Sequence, residues 1–265
     1  MKIKPYIFII RNSIMASLAY RGHFYFSLAG SVIYIVVTWF LWKAIYVNGG
    51  TIAGLTFSQA YMYVGISTAL SGFMHTASDW HLHNTVVRGD IVQFLTKPIG
   101  LSLQFFADEF GFALVNLIMI TLPTFIIVFV MTGWGVPSLI NIALFIPAVA
   151  IGFLLNFFFD FLIGLTVFLT KSIGSISTAK ETTVMFLSGA IIPLPFFPEG
   201  MRRVLEWLPF QALYNTPIRL LVDNSLNMNE VIFILLRQVG WLLIFYLLVR
   251  IFFSLALKKL VVNGG

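Results

Sequence analysis

Six long apolar stretches dominate the pattern of hydrophobic and polar positions along this chain. A membrane-spanning helix needs about 20 mainly apolar residues, because each residue adds about 1.5 Å and the hydrocarbon core is about 30 Å thick. The pattern therefore predicts an all-α integral membrane protein with six transmembrane helices. The predicted spans cover residues 24–46, 57–78, 111–131, 149–170, 174–194 and 230–256.

The limits of the fourth and fifth spans stay open in the sequence. The fourth span can begin as early as Pro137, since proline often opens a helix, and Pro147 would then kink it. The first half of the fifth span is rich in small and polar residues and contains Lys180 and Glu181. These two charges either form an ion pair inside the membrane or lie just before the span begins.

Residues 2–22 precede the first span and combine regularly spaced apolar residues with basic ones. This combination predicts an interfacial amphipathic helix, whose basic residues lie near anionic lipid headgroups. The alternative is a cytosolic extension of the first span. The apolar positions are Ile3, Ile7, Ile10, Ile14 and Leu18, and the basic ones are Lys2, Lys4, Arg11 and Arg21.

Composition agrees with a membrane protein and excludes several other classes. Only 10% of the 265 residues are charged and the mean hydropathy is +0.96, whereas a soluble domain has about 25% charged residues. The net charge of +6 does not indicate nucleic-acid binding, because no run of Lys and Arg exceeds two residues. Cysteine is absent, which excludes disulfides and thiolate metal sites. Residues 1–265 are expected to form a single membrane domain.

The distribution of Lys and Arg predicts that both termini lie in the cytosol of a multi-pass plasma (inner) membrane protein, with bacterial origin expected. Positive residues concentrate on the cytosolic side of membrane proteins. In this orientation five of them are external: Lys43, Arg202, Arg203, Arg219 and Arg237. Eleven are cytosolic: Lys2, Lys4, Arg11, Arg21, Arg88, Lys97, Lys171, Lys180, Arg250, Lys258 and Lys259.

The cytosolic connection between spans two and three contains Arg88-Gly-Asp-Ile-Val-Gln-Phe-Leu-Thr-Lys-Pro-Ile99. A short amphipathic helix is expected there, ended by the proline. It could insert into a groove on a soluble partner, or rest on the lipid headgroups. The candidate contact residues are Arg88, Asp90, Ile91, Phe94, Leu95, Lys97 and Pro98, of which Ile91, Phe94 and Leu95 share one face.

A proline-aromatic segment follows the fifth span. Its prolines forbid a continuous helix, and broken backbone at membrane depth is tolerated only where protein or a wet cavity covers it. Short helices that cap the outer mouth of a pathway are therefore expected, with an ordinary external loop as the alternative. The candidate gate residues are Pro193, Pro195, Phe196, Phe197 and Pro198.

Together these segments resemble the type-2 ABC exporter permeases. The resemblance is carried by Arg88-Gly-Asp with Leu95-Thr-Lys-Pro-Ile99, by Ser188-Gly with Pro193-Leu-Pro-Phe-Phe-Pro198, and by Leu208-Pro-Phe210 with Pro217. It implies a coupling helix between spans two and three, docked on a separate ATPase subunit present in two copies. It also implies a pathway lined by spans two and five of two paired permeases, identical or paralogous. ATP and Mg would bind the ATPase, and no cofactor would bind this chain.

The chain lacks the motifs of a self-powered enzyme. No phosphate-binding loop, dinucleotide fingerprint or metalloprotease motif occurs, and there are only ten acidic residues and four histidines. The chain is therefore expected to be non-catalytic and to draw its energy from a partner or an ion gradient.

Asp160 is the most unusual residue of the predicted spans. It lies ~16 Å along the helix from Lys171, near the bilayer midplane, where a carboxylate is costly. Asn156, one turn earlier, could hydrogen-bond it, so this pair is a candidate intramembrane polar site. A proton relay is one interpretation; a paired or protonated structural acid, or a helix register that brings Asp160 nearer the cytosol, is preferred.

Two further polar groups have competing interpretations. One group recurs every four residues and consists of His75, Asp79 and His83. It could bind a metal ion, but a polar stripe at the end of span two is the preferred interpretation. Asp108 and Glu109 are expected to cap the start of span three.

Three functional hypotheses remain. The first is the membrane subunit of an ATP-driven exporter, whose mostly apolar and aromatic cavity favours an amphiphilic, lipid-like or drug-like substrate. The second is a proton-coupled carrier that uses Asp160, and the third is a membrane scaffold that transports nothing.

Overall fold

The computed structural model describes residues 3–133, 137–170, 172–223 and 225–258. The predicted cytosolic residues Lys2, Lys171 and Lys259 lie outside these described residues. Within them the chain forms α1 (Lys4–Ala19), α2 (Arg21–Ile45), α3 (Phe57–Met74), α4 (Ser78–Val87), α5 (Ile91–Leu95), α6 (Leu101–Asn116), α7 (Leu122–Thr132), α8 (Leu139–Leu165), α9 (Gly174–Leu187), α10 (Glu199–Trp207), α11 (Asn215–Val222) and α12 (Met228–Lys258).

Short non-α elements connect several of these helices. A π-helical turn, Leu117–Thr121, joins α6 to α7 without a break. Turns of 3-10 helix cover Thr166–Phe168, Leu194–Phe196 and Phe210–Ala212. Between α2 and α3, the two-residue strands β1 (Thr51–Ile52) and β2 (Leu55–Thr56) pair antiparallel.

Four described helical segments are long and apolar enough to cross a membrane. They are Gly22–Ile45, Leu101–Thr132, Leu139–Phe168 and Met228–Ala256. The predicted all-α membrane protein is therefore confirmed. The other two predicted spans correspond to α3, with 18 residues, and α9, with 14. At 1.5 Å per residue these helices are about 27 and 21 Å long, so the six-span count stays a prediction.

The third span begins at Leu101 rather than at residue 111, and the expected capping role of Asp108 and Glu109 is wrong. Both acids lie inside α6, and each contacts a residue on α4 or just before it. Asp108 is 3.5 Å from His81, and a Glu109 carboxylate oxygen accepts the Ala77 N–H at 3.3 Å.

The helix of the predicted fourth span begins early, at Leu139, two residues after Pro137. The Ser138 hydroxyl accepts the Asn141 N–H at 3.2 Å and caps α8, so Pro147 lies within the helix. Helix α9, which corresponds to the predicted fifth span, ends at Leu187 rather than at residue 194. Gly189 follows with φ of +83°, a conformation that L side chains rarely adopt.

Helix α3 lies at the centre of the bundle. Most of its side chains are buried, and the Tyr61 hydroxyl donates to the Ile35 carbonyl at 3.0 Å. A Cβ at Gly65 would lie 2.5 Å from Val128 Cγ1. The Val128 side chain of α7 therefore packs directly on the backbone of α3. Because protein surrounds α3, its hydroxyls and aromatic groups need not meet lipid.

Two ends of the bundle can be distinguished by what packs there. At one, the α5 end, Ile91 and Leu101 pack with Val249 and Ala256 near the end of α12. At the other, the α10 end, Phe196 packs edge-on against Trp42 with ring centroids 5.0 Å apart.

The N-terminal helix is separate from the first span, because the chain bends at Tyr20 between α1 and α2. Helix α1 packs on α6, where the Ser13 hydroxyl donates to the Asp108 carbonyl at 2.7 Å. Ile14 and Leu18 pack against Phe24. The simple extension of the first span is therefore wrong.

Gly111 sets how closely α1 approaches α6. A Cβ at this position would lie 2.7 Å from the Ile10 carbonyl oxygen and 2.7 Å from Ser13 Cβ. We expect Gly111→Ala to displace α1 and lower the free energy of unfolding by about 1–3 kcal/mol. Thermal unfolding in detergent measures this, with Gly22→Ala as control because its Cβ would meet nothing within 4 Å. Equal stability of the two variants would contradict the packing.

Candidate functional site

Helix α8 presents one polar stripe to the interior of the bundle. Gly152, Asn156, Asp160 and Gly164 recur every four residues and are all buried. Residues four apart lie on the same face of a helix, and this face lies against the end of α3 and the start of α4. Cβ atoms at Gly152 and Gly164 would lie 3.1 Å from Met74 Cε and 3.0 Å from Asp79 Cα.

The helical path is interrupted between α3 and α4, and side chains of this stripe form hydrogen bonds with the residues at the interruption. The Asn156 amide donates to the Met74 carbonyl at 2.8 Å and to the Thr76 hydroxyl at 3.0 Å. The Thr76 hydroxyl in turn donates to Asp160, and Glu109 accepts the Ala77 N–H. Broken backbone in a membrane requires such partners, because lipid offers none. Predicted span two therefore ends at Met74 rather than residue 78.

Helix α9 is attached to this polar core by two side-chain contacts. Lys180 donates to Asp160, and their side chains are only 7% and 0% exposed. The Ser177 hydroxyl donates to Asp79, whose other oxygen accepts the Trp80 N–H at 2.8 Å. Buried charges are costly unless they are paired and hydrogen-bonded, as they are here. The intramembrane polar site predicted at Asn156 and Asp160 thus extends to α4 and α9.

Lys180 and Glu181 both lie inside α9, with different environments. Lys180 is buried against Asp160, whereas Glu181 is exposed. The two side chains therefore do not form the ion pair that the sequence offered as one alternative. The other alternative, a span that begins after them, stays a prediction, although the helix itself begins earlier, at Gly174.

A cleft of about 590 Å³ opens beside the polar core, between α2, α3 and α9. Most of the residues that line it are polar by type, but the surface that they present to the cleft is mainly apolar, in line with the apolar cavity expected. The polar residues are Ser27, Ser31, Tyr34, Ser67, Thr68, Ser71, His75, Thr76, Asn156, Lys180, Glu181, Thr182 and Tyr214. The others are Gly30, Met74, Val184, Met185, Ala190 and Ile191. Sequence reasoning missed the hydroxyls because they are scattered over three helices.

A second cleft, of about 380 Å³, adjoins the first and shares Tyr34 and Ile191 with it. Its lining is mainly apolar, and it extends to Phe196 at the α10 end. The other lining residues are Thr38, Leu41, Trp42, Ile45, Ile52, Val64 and Ile192. The two neighbouring clefts thus lie between the polar core and Phe196, one of the predicted gate residues.

The predicted gate segment folds into short helical pieces. Pro193 precedes the 3-10 turn and is buried, whereas Pro195, Phe196 and Phe197 are half-buried and Pro198 is exposed. A Cβ at Gly189, just before this segment, would lie 2.8 Å from the Tyr63 hydroxyl oxygen, so the chain that leads into the segment lies directly against α3.

The predicted coupling segment forms α5, but its apolar face points into the bundle. Ile91 is buried and Phe94 and Leu95 are half-buried, all within one cluster that includes Leu82 and Phe105. Residue Ile91 is therefore not available to a partner. The exposed residues of the predicted set are Arg88, Asp90, Lys97 and Pro98, joined by Val92 and Gln93.

The backbone after α5 is held in place by Gln104. Its amide nitrogen donates to the Phe94 carbonyl at 3.1 Å and to the Ile99 carbonyl at 3.0 Å. The Lys97 ammonium lies 4.7 Å from the centre of the Phe94 ring, a cation–π contact. The segment therefore has a defined shape before any partner binds.

The three residues of the metal alternative do not share one helical face. The chain breaks between α3 and α4, so His75 precedes the helix that carries Asp79 and His83. Asp79 is buried and bonded to Ser177 and the Trp80 N–H. Across the described ranges, no three His, Asp or Glu side chains come together in an arrangement that could hold a metal ion.

A multi-pass helical membrane protein whose broken central helix and polar core border a ligand-sized cleft belongs to the class of membrane transport components. The family model for the ABC-2 family transporter protein matches residues 32–264, and the chain belongs to this family. It is thus the membrane permease of an ABC transporter, and the family implies association with an ABC ATPase. No curated protein matches the chain.

Proposed function

We propose that this permease is one half of an ATP-driven exporter of amphiphilic, lipid-like or drug-like molecules. The observation that carries the proposal is that two adjacent clefts share Tyr34 and Ile191: the one beside Thr76 has hydroxyl and charged groups among its lining residues, and the one beside Phe196 has almost only apolar residues. A molecule with a polar and an apolar part fits such a pathway, because each part meets side chains of its own kind. The outer gate is the segment of Pro193, Pro195, Phe196, Phe197 and Pro198.

Six membrane crossings with both termini in the cytosol form part of this proposal. Helices α3 and α9 supply the two crossings beyond the four long helical segments. Their shortness is compatible with this because the chain continues from each through irregular backbone covered by protein, as membranes require. The α5 end then faces the cytosol and the α10 end faces outward.

A second permease, identical or paralogous, completes the pathway. Helix α9 exposes Ser175 and Thr178 along the side that does not contact the bundle. Small and hydroxylated residues are typical of close helix–helix contacts in membranes and satisfy one another there better than lipid does. We place the seam between the two permeases along this side of α9, with the clefts opening toward it.

Two ATPase subunits, each binding ATP and Mg, drive the permeases through the exposed side of the segment Arg88–Pro98. Helix α4 runs from this segment to the polar core, where Asp79 contacts Ser177 of α9. A push on α5 would therefore reach α9 through a single rigid helix. This chain binds no cofactor of its own in the proposed mechanism.

The ATP-driven mechanism is preferred to the proton-coupled one because of how Asp160 is enclosed. Its side chain is 0% exposed and bonded to Lys180 and Thr76, which leaves no oxygen open to a proton pathway. Transport that survives ATP depletion but is lost in Asp160→Asn would reverse this preference. The third hypothesis, a scaffold that transports nothing, is disfavoured because it offers no role for a cleft of this size.

The exposed position of Val92 provides the test of ATPase docking. Its side chain is 39% exposed on α5. We expect Val92→Asp to weaken co-purification of the permease with its ATPase at least tenfold, because a buried unpaired charge would oppose contact. Pull-down of the two subunits, with quantification of the bound ATPase, measures the effect.

The matched control is Val204→Asp, on α10 at the opposite end, where the side chain is 61% exposed. It should leave ATPase binding unchanged. Binding by Val92→Asp at the wild-type level, or purification of the wild-type permease without any ATPase that carries a phosphate-binding loop, would contradict the proposed docking.

A further inference from the structure

Glu181 places a carboxylate on the wall of the cleft of about 590 Å³, inside helix α9, which we assign to the membrane. It is exposed and forms no ion pair with another residue in the described ranges. An intramembrane carboxylate without a counter-ion is costly and marks a functional site by default. Its position in the cleft means that a bound molecule can supply the missing charge.

The remaining charges around the cleft do not neutralise Glu181. Lys180 also reaches the lining, but it is bonded to Asp160, so these two charges compensate each other. Helices α2 and α3 contribute hydroxyl groups to the lining but no charged side chain. His75 also lines the cleft, where it interacts electrostatically with Glu181. An ordinary imidazole is mostly neutral at pH 7, so Glu181 gives the described wall a net negative charge.

The wall also offers an apolar surface next to the carboxylate. Met74, Val184, Met185 and Ile191 line the cleft together with Glu181. A bare metal ion would not use such a surface, and an anion would be repelled by the carboxylate. The cleft volume of about 590 Å³ lies within the range of about 300–1,000 Å³ typical of sites for drug-sized molecules.

We propose that the cleft binds the protonated amine of an amphiphilic organic cation, with Glu181 as its counter-ion. Ser71 and Thr182 offer hydroxyl oxygens as acceptors for the ammonium hydrogens, and the methionines and branched side chains contact the apolar part. This inference rests on the proposed export function and specifies its substrate class.

The test uses the full-length permease in lipid nanodiscs, with 4-phenylbutylamine as the probe. 4-Phenylbutanol is its uncharged analogue and 4-phenylbutyrate its anionic one. Isothermal titration against protein-containing and empty nanodiscs separates binding from partition into lipid. The amine should bind at least tenfold more tightly than either analogue. Equal affinity for amine and carboxylate would overturn the proposal.

Substitutions at Glu181 complete the test. Glu181→Gln should weaken amine binding at least tenfold and leave alcohol binding unchanged, while the control Glu199→Gln, an exposed acid of α10, should alter neither. Glu181→Lys should reverse the preference toward 4-phenylbutyrate, which a misfolded protein could not do. Amine affinity retained in Glu181→Gln would overturn the proposal.

These outcomes separate the substrate class from the export function itself. Amine binding is measured without ATP and without the ATPase, whereas docking is measured by co-purification. If the ATPase binds but the amine does not, the substrate class is wrong and the exporter stands. If the amine binds but no ATPase does, the ATP-driven mechanism is wrong.

Discussion

Replacing Lys180 by Met is expected to lower the free energy of unfolding by about 3–5 kcal/mol. The substitution leaves the Asp160 carboxylate buried without its counter-ion, since its side chain is 0% exposed and only Thr76 remains bonded to it. Helix α9 also loses one of its two contacts with the polar core. Unfolding of the detergent-purified protein, followed by circular dichroism during titration with a denaturing detergent, measures the loss.

Two further variants show whether the pair itself is responsible. Asp160→Asn combined with Lys180→Met removes both charges, and we expect it to recover most of the lost stability. Lys43→Met, at an exposed lysine of α2, should have little effect. If the double variant is as unstable as Lys180→Met, the effect comes from packing and not from an unpaired charge.

The second large effect is expected at Gly164, where α8 touches the start of α4. A Cβ there would lie 3.0 Å from Asp79 Cα and 3.2 Å from the Asp79 carbonyl oxygen. Backbone atoms cannot rotate away as a side chain does, so Gly164→Leu must push α4 off α8. We expect the free energy of unfolding to fall by about 1–3 kcal/mol, and transport to fall at least tenfold while the ATPase stays bound.

The matched control for this substitution is Gly240→Leu. A Cβ at Gly240, within α12, would meet nothing within 4 Å. It should keep both stability and transport. If Gly164→Leu transports normally with the ATPase bound, then α4 is not the element that connects α5 to the cleft. Separate measurements of ATPase binding and transport in proteoliposomes distinguish these outcomes.

Helix α4 gives the proposed transport cycle a physical basis. One of its ends joins the exposed segment around Val92. The other lies at the interruption after α3, where Asp160, Glu109 and Asn156 form hydrogen bonds with residues 76 and 77. A broken helix can change its angle at such a point without losing backbone hydrogen bonds inside a continuous helix. Motion of α4 would thus alter the cleft wall through the Asp79–Ser177 contact.

The predicted residues of α5 illustrate how far a periodic pattern reaches. The spacing of Ile91, Phe94 and Leu95 correctly predicted one apolar face, but it could not tell which protein covers that face. In the structure the face packs on Leu82 and Phe105 of the same chain. The exposed residues Val92 and Gln93 therefore replace it as the surface proposed for the ATPase.

The sequence by itself determined the membrane location, the all-helical architecture and the interruption of the helix after α9. These properties depend on apolar residues and prolines within about 20 neighbouring positions. The ABC permease class also followed from short motifs.

Only the tertiary structure decided the break after Met74, the attachment of α9 and the open position of Glu181. Each depends on partners that are distant in the chain: Thr76 and Asp160 are 84 residues apart, and Asp79 and Ser177 are 98 apart. Hydropathy is a sum over neighbours and carries no information on such pairs. Packing in three dimensions therefore determined which of these polar residues became partners and left the Glu181 side chain exposed on the cleft wall.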